Sequence, residues 1–239
     1  MVEKSDKLIY EIIYLVLASH ILMEQIRSRD RVSEHGEVFT PPWLVEVMFD
    51  LVKEESMRID SRILEPACGS GRFLEVALVR KLRTVKERYG DSGFEFRQKS
   101  ILALMCLYGI EKLSDNAEEC RSNLIKILND FFPEINIDDD FFQACEFVVS
   151  KNIIEGNAMT LEKSDGGPIL FPEWAYLGRG KFQRRDFSLK TLEKNSIVKS
   201  KDSLFSYFGI DEVYAPVKEY NPITIKSLAD VNRSGREML

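Results

Sequence analysis

The sequence predicts an α/β fold: a mostly parallel sheet with flanking helices, followed by a C-terminal antiparallel hairpin. Three observations point there. From Ser61 onward, short apolar segments alternate with longer stretches of helical periodicity, the pattern of strands joined by helical crossovers. The first of those segments, residues 62–65, runs into the glycine turn Gly69-Ser70-Gly71, which opens a helical stretch. Beyond Thr160 the helical pattern stops, and two extended pieces, 169–176 and 181–187, flank Gly178-Arg179-Gly180 as the arms of a hairpin.

The elements follow in chain order. Leu8, Ile9, Ile12, Ile13, Val16, Leu17, Ile21 and Met23 suit a largely buried helix over 4–29. Glu11 and His20 interrupt that run, which is shorter than the roughly 20 apolar residues of a membrane span, so no membrane role is expected. The charged stretch 27–37 reads as a loop. Thr40-Pro41-Pro42 then starts a helix, with Thr40 as cap and Leu44, Val47, Met48, Leu51 and Val52 as its apolar stripe. After the strand at 62–65 come a helix over 71–89, a helical run over 96–104 and a strand at 105–110. Ser114 is expected to cap a helix through Asn129, and 147–155 contains a third strand that ends at Gly156-Asn157. Residues 194–239 mix lysines, serines and scattered apolar residues, and no element is assigned there. The expected organisation is an N-terminal helical segment (1–35), a principal domain (36–195) and a C-terminal extension (196–239).

Composition narrows the function. With 239 residues, 44% of them hydrophobic, the chain can bury one substantial core. A net charge of -6 argues against a protein coated in positive potential, so any nucleic-acid surface must be local. Cys68, Cys106, Cys120 and Cys145 lie far apart, with no C-x-x-C pair and only two histidines beside them. That suggests neither a metal site nor a disulfide framework, and it fits a reducing, cytoplasmic setting.

The strongest local signal is Ile63-Leu64-Glu65-Pro66-Ala67-Cys68-Gly69-Ser70-Gly71-Arg72-Phe73-Leu74. Gly69 and Gly71 let ligand atoms approach the backbone, and the helix start turns N–H groups toward them. A dinucleotide site wants a third glycine where Leu74 stands, and a P-loop wants Gly-Lys-Ser/Thr, which is absent. What remains suits a ligand with a carboxylate and a nucleoside but no phosphate, a description that S-adenosylmethionine meets.

Residues Glu65, Pro66, Ala67, Cys68, Gly69, Ser70, Gly71, Arg72 and Phe73 resemble the first cofactor motif of adenine-N6 DNA methyltransferases, especially the modification subunits of restriction systems. The resemblance covers approximately 37–160. It implies a Rossmann-like, S-adenosylmethionine-dependent methyltransferase fold. Phe39, Thr40 and Pro41 are similar to the segment that borders the methionine part of the cofactor in that family, although the same residues also read as a capped helix start. At the end of the second strand Glu111 stands where a doubly wound fold binds a ribose. An inserted loop and helix near 89–100 would account for its distance from Gly71. Gly156-Asn157-Ala158 resembles the third motif, in which the Asn157 amide oxygen would accept from the cofactor adenine.

The resemblance breaks at the Asn/Asp-Pro-Pro-aromatic motif, with which the family holds a flipped-out adenine for transfer to N6. The nearest stand-ins are Glu173 and Trp174, in Phe171-Pro172-Glu173-Trp174, and Asn221 and Pro222, in Tyr220-Asn221-Pro222-Ile223-Thr224. Both stretches also read as ordinary structure. Arg179, Lys181, Arg184 and Arg185, interleaved with Tyr176 and Phe182, form a basic ribbon able to meet DNA phosphates, and equally a solvated face. The resemblance thus implies a DNA adenine-N6 methyltransferase or modification subunit acting on DNA with a companion restriction-modification or specificity subunit. The alternative is a cofactor- or partner-binding relative that lacks the target-base site.

Overall fold

The computed structural model describes residues 28–35, 37–38, 40–136, 139–190 and 216–235. The expected helix over 4–29 therefore lies almost wholly outside the described residues. The chain divides into two compact units, residues 1–51 and 52–239, each taken by itself below.

In the first unit the charged stretch expected to be a loop forms helix α1 (Arg29–His35). The Ser28 hydroxyl accepts from the Arg31 N–H, and the Arg31 guanidinium reaches forward to Glu37. The Ser28 bond at the start supports a short helix that hydrophobic periodicity does not reveal. Helix α2 (Pro42–Asp50) follows, but its N-cap is Pro41, with no side-chain bond, and not Thr40. Pro41 at φ -65° and Pro42 in the first turn pre-set the helix start without a capping oxygen. Its buried residues are Val45 and Phe49, whereas Val47, Met48 and Leu51 of the expected stripe are exposed.

The second unit opens with helix α3 (Lys53–Met57) and then strand β1 (Ile63–Glu65). Between them Lys81 organises the turn. Its ammonium is completely buried and donates to the carbonyls of Arg58, Ile59 and Ser61, at 2.6, 3.3 and 2.7 Å, and to the Ser61 hydroxyl. Burial holds its pKa down to about 8. Helix α4 (Arg72–Tyr89), which carries Lys81, and helix α5 (Gly93–Met105) connect β1 to strand β2 (Leu107–Glu111). Helix α6 (Ser114–Phe131) and helix α7 (Asp140–Asn152) connect β2 to strand β3 (Ile153–Asn157). Ser114 is the first helical residue of α6 and not its cap, which is Leu113, without a side-chain bond.

The third strand is shorter than the apolar run that announces it. Residues 147–152 belong to α7, which starts from an Asp139 cap whose carboxylate accepts from the Phe141 N–H. Phe141, Phe142, Ala144, Cys145, Phe147 and Val148 are all buried, and only a narrow polar stripe, Gln143, Glu146 and Ser150 at spacings of three and four, marks the helical period beside an apolar run that also suits a buried strand. An aromatic chain ties it in: Phe96 to Phe132 at 4.7 Å, Phe132 to Phe141 at 4.9 Å and Phe141 to Phe142 at 5.4 Å between ring centres.

β1, β2 and β3 are adjacent and parallel, and strand β4 (Glu162–Lys163) closes the far side of β3 antiparallel. Strand β5 (Leu170–Gly178) and strand β6 (Lys181–Ser188) form the expected hairpin, and strand β7 (Lys218–Glu219) extends it. Gly178, Arg179 and Gly180 all take positive φ at its tip. The hairpin covers one face of the sheet: Tyr108 and Ile110 of β2 pack on Ile169 and Phe171, and the Tyr108 hydroxyl donates to the Pro172 carbonyl at 2.9 Å. Gly109 faces the other way, toward Leu74 of α4, so β2 is buried on both faces. Asn152 joins hairpin and sheet, since its amide donates to the carbonyls of Met105 and Leu107 and its oxygen accepts from the Trp174 indole N–H at 3.0 Å.

In the unassigned C-terminal stretch, helix α8 (Ile225–Ser234), capped by Thr224, packs on α7, where Asn232 donates to Gln143 and Glu146. Residues 191–215 lie outside the described residues. Among the described residues no helix is long and apolar enough to cross a membrane, and no cluster of acidic, His or Cys side chains is placed to hold a metal.

Candidate functional site

The carboxyl ends of three parallel strands form the site. In such a sheet the first backbone groups beyond the strand ends have no ladder partner, and ligands use them. β1 leaves the sheet through Pro66 and Ala67, both exposed, and the Cys68 N–H donates to the Ile110 carbonyl, holding the departing chain against β2. Gly69 and Gly71 take φ of 53° and 99°, the left-handed region in which a Cβ is strained. At Gly71 space forbids a side chain as well: a Cβ there would lie 2.6 Å from the Cys120 sulfur. Glycine is thus required twice over where the chain turns into α4.

The turn is braced from α6. Asn123 donates through its amide to the Ser70 carbonyl at 3.1 Å and to the Glu75 carboxylate at 2.9 Å. The Cys68 and Cys120 thiols hydrogen-bond each other, and that bond together with burial pushes the Cys68 thiol well above its ordinary range, keeping it protonated and unreactive. Burial also raises the Glu65 carboxyl, a shift that the Ala67 N–H bond partly offsets. The bracing residues Cys120 and Asn123 escape sequence reasoning. Their only signal is a small and a polar residue in an otherwise amphipathic helix.

Glu111 ends β2 with its carboxylate directed across the turn. One oxygen accepts from the Gly69 N–H at 2.8 Å and the other from the Leu113 N–H at 2.9 Å, and the residue is only 9% exposed. Two backbone amides on opposite sides fix its orientation. On the next strand Asn157 ends β3, half-buried, and its side-chain oxygen accepts from the Met159 N–H at 2.9 Å, an Asx-turn that bends the chain toward β4. The structure therefore brings Glu65, Pro66, Ala67, Gly69, Gly71, Glu111 and Asn157 to one end of the sheet. Phe73 follows in the first turn of α4. Phe39 lies outside the described residues, and Thr40 and Pro41 belong to the first unit.

The other candidates lie elsewhere. Trp174 is buried beside Asn152, where β3 begins, one strand length or roughly 15 Å from the end that carries Asn157. Glu173 bonds Arg62 at the start of β1 at 2.7 Å and also bonds Arg185. Asn221 and Pro222 connect β7 to α8. Within the basic ribbon, Arg184 is buried and bidentate to Asp186, at 2.8 Å on each arm, with its guanidinium 4.3 Å from the Tyr220 ring. Arg179 at the hairpin tip and Lys181 at the start of β6 are separate from that pair in position.

Residues 20–144, more than half of the chain, match the family described as N-6 DNA methylase. The chain is also 33% identical over 85 residues to the methylase subunit of the type I restriction enzyme MjaVII from Methanocaldococcus jannaschii, a match spanning 33% of this chain and 14% of that relative. No solved structure matches. The glycine turn and Glu111 both fall inside the matched segment, and the chain belongs to the N-6 DNA methylase family.

Proposed function

We propose that the carboxyl ends of β1, β2 and β3 bind S-adenosylmethionine within a Rossmann-like methyltransferase fold. On this proposal the chain methylates adenine N6 in DNA, as a methyltransferase or the modification subunit of a restriction-modification system. The observation that carries the reading is the Glu111 carboxylate, held by the Gly69 and Leu113 amides beside a left-handed glycine turn. Each oxygen accepts one backbone bond and keeps a second acceptor site, the capacity that two ribose hydroxyls require. Gly69 and Gly71 keep side chains away from the turn, so the amino-acid end of a ligand can reach its backbone. Asn157 likewise keeps one acceptor site on its oxygen for an adenine amine. When bound, the cofactor supplies a methyl group already activated on a sulfonium, which leaves alignment as the protein's main task.

Calorimetric titration with S-adenosylmethionine tests the site. Saturable binding is expected, weakened at least about tenfold in Glu111→Ala, the loss of one charge-assisted ligand. Failure of the wild-type protein to bind the cofactor would sink the proposal. Methyl transfer to DNA, assayed with and without a companion specificity subunit, tests the activity.

A second reading, a cofactor-binding subunit that takes its target-base site from a companion chain, is supported by the positions of Glu173 and Trp174. Both are engaged in holding the hairpin at the opposite end of the sheet. Activity that appears only on adding a companion chain would favour it.

A further inference from the structure

The glycine turn is gripped at two points by one face of α6. Cys120 lies against Gly71, and Asn123, three residues on and so on the same side of the helix, spans the turn and the start of α4. The Asn123 amide nitrogen carries two hydrogens, and both are used: it donates to the Ser70 carbonyl at 3.1 Å and to the Glu75 carboxylate at 2.9 Å. The Ser70 carbonyl belongs to the same peptide as the Gly71 N–H, which donates to the Cys68 carbonyl at 2.8 Å. That planar unit is therefore pinned at both ends, and with it the direction in which the chain enters and leaves. Glu75 is the acid in the first turn of α4, where the helix dipole favours negative charge. A ligand carboxylate at the glycine turn would compete with it for the same field. The bond from Asn123 ties the Glu75 side chain to α6. Burial raises the Glu75 carboxyl, and that bond is the first influence opposing it, ahead of the charges of Arg72 and Lys126.

We infer that Asn123 is a positioning residue for the amino-acid end of the cofactor: it fixes the peptide between Ser70 and Gly71 and holds the Glu75 carboxylate clear of the methionine carboxylate. The inference rests on the proposed function, which puts S-adenosylmethionine at this turn. Glu111 and Asn157, which would hold the nucleoside end, are oriented by the Gly69, Leu113 and Met159 amides instead. Loss of the Asn123 amide therefore falls on one end of the ligand and spares the other.

The experiment compares two nucleosides that differ at the amino-acid end alone. S-adenosylhomocysteine carries that end, and 5′-methylthioadenosine has a methyl group in its place. Calorimetry measures both on the wild-type protein, Asn123→Ala, Glu75→Gln and the double variant, with circular dichroism confirming that each is folded. Asn123→Ala is expected to weaken S-adenosylhomocysteine at least about tenfold and methylthioadenosine less than about threefold. Adding Glu75→Gln removes the competing charge and should win back about threefold of the lost S-adenosylhomocysteine affinity. Glu75→Gln alone still accepts from Asn123 and should bind within about twofold of the wild type. Asn123→Ser, which keeps one donor, serves the same comparison if alanine unfolds the protein. Should methylthioadenosine bind too weakly to measure, the recovery, read on S-adenosylhomocysteine, decides. A wild-type protein that binds neither nucleoside would remove the proposed function and the inference with it. Binding by the wild type, followed by no loss or equal losses of the two nucleosides in Asn123→Ala, or by no recovery with Glu75→Gln, would overturn the inference alone.

Discussion

Replacing Gly71 by alanine isolates the physical demand at the centre of the site. Alanine at φ 99° costs about 1–2 kcal/mol in backbone strain. Its Cβ would also lie 2.6 Å from the Cys120 sulfur and 3.3 Å from the Cys120 backbone, an overpacking that costs about 1–3 kcal/mol. The expected loss of stability is the sum, about 2–5 kcal/mol, read as a lowered urea midpoint at unchanged slope. Adding Cys120→Ala removes the sulfur but leaves the close approach of the α6 backbone and the strained φ, so only part of the overpacking is relieved. Cys120→Ala alone should cost about 1 kcal/mol through the lost contact with Cys68. The four proteins form a double-mutant cycle, and the two substitutions together should cost less than their sum by about 1–2 kcal/mol. Gly71→Ala within about 0.5 kcal/mol of wild type, or strict additivity of the cycle, would refute the argument that both conformation and space require glycine here.

Three further outcomes are expected. Lys81→Met strips the carbonyls of Arg58, Ile59 and Ser61 of their donor and should lower stability by about 3 kcal/mol at pH 7, measured by urea unfolding. Because burial lowers the Lys81 pKa from 10.5 to about 8, the folded protein binds fewer protons than the unfolded chain between those values. Wild-type stability should accordingly carry a component that rises with pH across that window, and the Met variant should lack it. Trp174→Phe leaves the Asn152 oxygen without its donor in a buried site and should cost about 1–3 kcal/mol; on the proposed function it should leave S-adenosylmethionine binding unchanged, because Trp174 lies at the other end of the sheet from Glu111. Arg184→Ala takes the bidentate partner from a buried Asp186, which keeps the Tyr220 hydroxyl as a donor, and should cost about 3–5 kcal/mol in the same assay; pairing it with Asp186→Leu should recover most of that loss.

Much of the candidate site's geometry was legible because its signals are local. A glycine turn after an apolar strand needs only the residues from Ile63 to Leu74, and an acid at a strand end needs only the strand before it, so Gly69, Gly71 and Glu111 could be named from the chain alone. Helix boundaries were legible where amphipathic periodicity or proline marks them, as in α4. They were not legible at α7, where Phe147, Val148 and Val149 suit a buried strand as well as a helix, or at α1, whose signal is the Ser28 side chain that accepts from the Arg31 N–H and not an apolar stripe.

The linear sequence determined the alternation of β1, β2 and β3 with helices, the hairpin that follows them and the family, because short-range chemistry and pattern suffice for each. Only the tertiary structure decided which polar groups are already engaged. Arg184 and Arg185 look alike in sequence, yet one is buried against Asp186 and stacked on Tyr220 while the other lines an open cleft. Glu173, likewise, is held by Arg62, just before β1, and Arg185 of β6, partners 111 and 12 residues away. The reason is physical: the free energy of a charge depends on its solvent and its partners, and the fold, by bringing distant segments together, sets both.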